Sequence, residues 1–170
     1  MTQRRQLVGL ASLVAVALVV AACGVPQGSL ATGVIVPDFD LPQLGGGAID
    51  RDALNGDSTP VVLNFWATWC APCKREIPAL QALHEGGGVR VIAIAVDETA
   101  EIVQPFVDRY AMTYPIVLGD MATFVRFGGR AIPYTVILDA DLVVRRVHTG
   151  LVTQSTLEKD LAAARTPAGS

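Results

Sequence analysis

Two cysteines separated by two residues, Cys70-Ala71-Pro72-Cys73, are the most reactive side chains in this 170-residue sequence. Such a pair can clamp a metal, staple a loop or cycle between dithiol and disulfide. A structural zinc site asks for four ligands, and His84 and His148 are the only histidines. Copper(I) asks for fewer thiolates, which leaves a copper-delivery protein as a minor alternative. A bridge closing so short a loop constrains the unfolded chain little, and this counts against a purely structural staple. Position favours redox exchange. The run Val61-Val62-Leu63-Asn64-Phe65-Trp66 predicts a buried strand. Ile77, Leu80 and Leu83 predict a helix beginning just after Cys70. Cys70 therefore falls at a strand-to-helix junction, where unpaired N–H groups and the helix dipole favour a thiolate. Its pKa is drawn from about 8.5 toward neutral. Cys73, about one turn further in, is suited to resolve a mixed disulfide.

The surrounding elements alternate. Pro37 to Leu44 and Ala48 to Leu54, separated by three glycines, predict an N-terminal β-hairpin. Val89 to Val96 predicts a second buried strand, and Thr99 to about Tyr110 a helix that Pro105 should bend or interrupt. A short strand (Ile116 to Leu118) and a short helix (Met121 to Phe127) follow. Two strands, Tyr134 to Leu138 and Val143 to Val147, join through the turn-forming Asp139-Ala140-Asp141, and Leu157 to Ala164 closes the chain as a helix. The pattern predicts an α/β sandwich: a central mixed β-sheet flanked by helices.

These residues carry a resemblance. Pro37-Asp38-Phe39-Asp40-Leu41, Asn64-Phe65-Trp66-Ala67-Thr68-Trp69-Cys70, Pro78 and Ile132-Pro133-Tyr134-Thr135 together resemble the TlpA/ResA-like thiol–disulfide oxidoreductases of the thioredoxin superfamily, from about Pro37 to Leu161. The resemblance implies a thioredoxin-like fold and a cis bond before Pro133. It also implies that the backbone of Ile132 pairs with a substrate strand, in a groove around Trp69, Ile132, Pro133 and Tyr134. Asn64 stands where thioredoxin keeps a proton-relaying aspartate, and an amide cannot titrate. Glu76, three residues after Cys73 and on the same helical face, matches an active-site glutamate of the ResA-like members, so it is expected to tune or shuttle protons for the cysteine pair. Trp66 is expected in the core, and His148 is expected to be structural.

The third cysteine belongs to an address. Arg4 and Arg5 precede an apolar run from Leu7 to Ala22, and Val20-Ala21-Ala22-Cys23 resembles a bacterial lipobox. The run is shorter than the roughly 20 residues of a spanning helix and fits a cleaved signal. The expected organisation is a lipoprotein signal peptide over residues 1–22, a lipid-anchored tether over 23–36 with Cys23 lipidated, and a thioredoxin-like domain over 37–165. The domain should then lie outside the cytoplasmic membrane of a bacterium, held at the membrane surface. Losing the leader takes the formal charge from −3 to −5, which disfavours nucleic acid as a partner.

Direction of electron flow follows from how strongly the reduced thiolate is stabilised. Ala71-Pro72 lacks the intervening histidine of strongly oxidising relatives, and Ile132 before Pro133 resembles reductases. The expectation is a reductant of disulfides in exported proteins such as apocytochrome c, recharged by a membrane donor resembling the DsbD/CcdA transporters, with no cofactor and no metal. A disulfide-forming oxidase is the alternative. The proline-threonine-cysteine arrangement of peroxidatic sites is absent around Cys70, which weighs against a peroxidase.

Overall fold

The computed structural model describes residues 30–55, 58–96 and 98–165. The signal peptide, Cys23 and the first part of the tether lie outside the described residues. Short strands β1 (Asp40–Pro42) and β2 (Ala48–Asp50) form an antiparallel hairpin, followed by a 3-10 turn over Asp52–Leu54. Then come β3 (Val61–Trp66), α1 (Ala71–Gly86), β4 (Arg90–Val96), α2 (Ala100–Arg109), β5 (Ile116–Gly119) and α3 (Met121–Arg126). β6 (Tyr134–Leu138), β7 (Val144–Thr149) and α4 (Gln154–Ala164) complete the chain.

The main sheet has the order β5-β4-β3-β6-β7. β3, β4 and β5 run parallel, while β6 and β7 are antiparallel additions. All six residues of β3 are buried, as a central strand covered on both faces requires. Alternation sends Val62 and Trp66 into a core shared with α1, α2 and α4. Val61, Leu63 and Phe65 enter a second core with Phe124 of α3, Phe127 and the hairpin residue Leu41. Asn64 interrupts the first row with an amide, and that interruption positions the site described below.

The hairpin lies along the β5 edge, where Leu44 N–H donates to the Ile116 carbonyl at 2.9 Å and Gln43 bridges Val117. An edge strand covered in this way offers fewer free backbone groups. Two expectations change. α2 continues unbroken through Pro105, the sixth of its ten residues, where the missing N–H leaves one helical bond unmade. The paired structure also begins before Pro37. Gly33 N–H donates to the Val144 carbonyl, Val144 N–H to Val34, and Val36 N–H to Leu142. The last residues assigned to the tether are thus hydrogen-bonded to the segment that leads into β7.

Candidate active site

Cys70 and Cys73 form a disulfide at the start of α1. Cys70 is the N-cap, and its sulfur accepts the Cys73 N–H at 3.2 Å. Pro72 lies in the first turn, where a missing N–H costs nothing because that donor has no helical partner. In the disulfide form Cys70 is 4% exposed and Cys73 3%, while Trp69 beside them is 71% exposed. The sulfurs thus sit just beneath a surface marked by an indole. The loop ahead of them is pinned from β4's side. Glu98 accepts the Thr68 N–H at 2.8 Å with one carboxylate oxygen and the Thr68 hydroxyl with the other.

The Ile132–Pro133 bond is cis, and the Pro133 carbonyl accepts the Gly150 N–H at 2.8 Å. Ile132 packs against both cores. With Trp69, Val96, Met121, Phe124 and Arg130 it lines a groove of about 440 Å³. Tyr134, expected beside a substrate, is placed elsewhere. Its ring is fully buried in the second core, and its hydroxyl donates to the Phe127 carbonyl at 2.7 Å. As the first residue of β6 it points to the face opposite Thr135, so its side chain supports the groove from below.

Glu76 is 1% exposed. One carboxylate oxygen accepts from Asn64 Nδ2 at 2.8 Å and the other from the Val152 N–H at 2.9 Å. Asn64 also donates to the Thr135 hydroxyl at 2.9 Å. Burial pushes the Glu76 carboxyl above its ordinary 4.5, while the Val152 and Asn64 donors and the charge of His148 pull it partly back. Tyr114 is also buried. Its hydroxyl has no hydrogen-bond partner among the described residues, and burial together with the nearby Glu76 charge raises its pKa. Trp66 lies in the core as expected. Among the described residues, no cluster of three or more His, Cys, Asp or Glu side chains is placed to hold a metal ion.

The raised Glu76 carboxyl has a consequence for stability. Over an interval above pH 4.5 the native state holds a proton that the unfolded chain has released. Unfolding there gives up a proton, so stability falls as pH rises across the interval. Glu76→Gln removes that contribution. Urea midpoints of both proteins, measured between about pH 4 and 8, should show a wild-type-minus-variant difference that declines with pH. A constant difference counts against the raised value.

Sequence reasoning did not find Glu98, Thr135 or Asp160. Glu98 had a usable signal, because it follows the C-terminal end of a parallel strand adjacent to the one carrying Cys70, where α/β sheets place functional groups.

An AhpC/TSA family model matches residues 32–147. The chain is 36% identical over 126 residues to the thiol-disulfide oxidoreductase ResA of Halalkalibacterium halodurans, covering 72% of this chain and 70% of that one. A putative thiol:disulfide interchange protein DsbE from Chlorobium tepidum superimposes with a TM-score of 0.72 at 26% identity, over 81% of this chain and all of the other. A secreted thiol-disulfide isomerase from Corynebacterium glutamicum does so with a TM-score of 0.69 at 29% identity, over 76% of this chain and 84% of the other.

Fold and site together define an enzyme of the thioredoxin-like class that exchanges thiols and disulfides. The chain belongs to the AhpC/TSA family and, within it, to the ResA thiol–disulfide oxidoreductases.

Proposed function

We propose that this enzyme is a membrane-anchored reductant working outside the cytoplasmic membrane on disulfides of exported proteins, apocytochrome c among them. The carrying observation is the Cys70–Cys73 bridge at the N-terminus of α1, with the buried Glu76 carboxyl one turn below it. Cys70, as a thiolate, attacks a substrate disulfide, forming a mixed disulfide and expelling one substrate thiolate. The Cys73 thiol passes its proton to Glu76. Cys73 then attacks the Cys70 sulfur, which forms the internal disulfide and expels the second substrate thiolate. Two electrons move to the substrate, whose thiolates take protons from water. Asn64, unable to titrate, holds the carboxylate that does this work. Trp69, Ile132 and Pro133 receive the substrate segment through the groove and the Ile132 backbone.

The secreted Corynebacterium relative supports the compartment, and the apolar leader ending at Cys23 supports lipid anchoring there. No described helix is long and apolar enough to cross a membrane. A membrane thiol donor resembling DsbD or CcdA would restore the dithiol.

Equilibrating the protein against dithiothreitol and glutathione buffers tests the direction. A potential near −270 mV, thioredoxin's range, is expected, because no histidine lies between the cysteines to stabilise the thiolate further. A value near −120 mV overturns the reductant reading in favour of a disulfide-forming oxidase.

A further inference from the structure

Three strands set polar side chains in one row beneath α1 and α4. Asn64 of β3 is the register partner of Thr135 of β6, and Thr135 is the partner of His148 of β7. Register partners share a face of the sheet, here the face that otherwise carries Val62, Trp66 and Ile137 of the first core. Helices close the row at both ends. Glu76 of α1 accepts from Asn64, and Asp160 of α4 meets His148 Nε2 at 2.7 Å. A polar seam therefore crosses an apolar layer from the buried Glu76 to His148, whose side chain is 25% exposed at the sheet edge.

The anchors of Glu76 fix where its carboxylate lies. One oxygen is tied to β3 through Asn64, and the other to the Val152 backbone just beyond β7. Between those anchors runs β6, so the carboxylate faces the Thr135–His148 pair. Its other titratable neighbours are Tyr114, ahead of β5, and Cys73 on its own helix. His148 in turn faces Asp160 of α4 and Glu76 of α1. Arg146, also on β7, has its Nε 3.5 Å from the second Asp160 oxygen. That arginine offsets the Asp160 charge, so an imidazolium at position 148 acts on Glu76 without being cancelled by its own partner.

We propose that His148, oriented by Asp160, is a positioning residue whose positive charge keeps the Glu76 carboxylate ionised and ready to take the Cys73 proton. This rests on Glu76 serving as the proton acceptor in the exchange. His148, expected from sequence to be structural, thereby acquires a role through Glu76. Asp160 fixes the ring, and Arg146 fixes the local charge balance.

The test uses the reduced protein and a dye disulfide, dithiobis(nitrobenzoate), in stopped flow across a pH series. The first thionitrobenzoate released reports attack by Cys70, and the second reports attack by Cys73. His148→Gln should slow the second release about tenfold near pH 6 and leave the first unchanged. His148→Lys, which restores a positive charge, should return the second release close to the wild-type rate. In a Glu76→Gln background, His148→Gln should have no further effect on either release. A second release unmoved by His148→Gln overturns the proposal, as does an equal slowing with and without Glu76. A Glu76→Gln protein with the wild-type profile would instead remove the proton-acceptor reading beneath it. β7 is an edge strand and His148 is partly exposed, so both substitutions should keep the fold, which thermal melting of each variant checks.

Discussion

Cys70→Ser should abolish turnover of protein disulfides, a loss of about 10³-fold or more, as expected when one member of a unit that acts together is removed. Serine keeps the N-cap geometry, because a hydroxyl accepts a backbone N–H as well as sulfur does, but it supplies no thiolate. Cys73 cannot substitute, since it lies one turn in, past the N-cap position where the helix start favours a thiolate. Cys73→Ser behaves differently. Its Cys70 still attacks a substrate disulfide, yet nothing resolves the mixed disulfide, so a covalent adduct should accumulate and run as a heavier band on non-reducing gels. Reduction should release it. Turnover at the wild-type rate by either variant would remove the two-cysteine mechanism. Thermal melting separates the redox role from stapling: a bridge closing so small a loop adds little to stability, so the serine variants should melt close to the oxidised wild type.

Features written in local spacing were legible in the sequence. The strand-to-helix junction at Cys70, the i, i+3 relation of Cys73 and Glu76, and Asn64 as a polar break in an apolar strand all lie within a dozen residues. Features that depend on strand order were hidden. Thr68 with Glu98 and His148 with Asp160 meet only because β3 neighbours β4 and β7 packs under α4. The resemblance implies a place beside the substrate for Tyr134, the residue after Pro133. Being next to Pro133 does not say which way a strand residue points, and the alternation of β6 sends Thr135 toward Asn64 and Tyr134 into the opposite core. Residues 33–36 lacked a strand period because their partners are backbone groups of the segment at Leu142 and Val144. Hydrogen bonds of that kind leave no side-chain signature.

Phe65→Ala should cost about 3–5 kcal/mol, the usual range for deleting a buried phenylalanine. Phe65 is fully buried in the central strand, on the face opposite Asn64. Its ring centroid lies 5.5 Å from that of Phe124, 5.2 Å from Phe127 and 5.9 Å from Tyr134. Each such pair adds about 0.5–1.5 kcal/mol beyond area burial, and no neighbour can collapse into the space without leaving its own contacts. Against a typical total of about 5–15 kcal/mol, the variant should unfold at a urea midpoint lower by about 1–5 M, given a slope of about 1–3 kcal/mol/M. Val125→Ala, on the exposed side of α3, is the control and should stay within about 0.5 kcal/mol. A loss under about 1 kcal/mol at Phe65 would mean the aromatic cluster is not packed as described. Phe124 also lines the groove beside Trp69 and Ile132, so the folded fraction of Phe65→Ala should turn over protein disulfides more slowly. Its reaction with the small dye disulfide should change little. That contrast, unlike the loss of both reactions expected for Cys70→Ser, separates the scaffold that receives the substrate from the sulfurs that react with it.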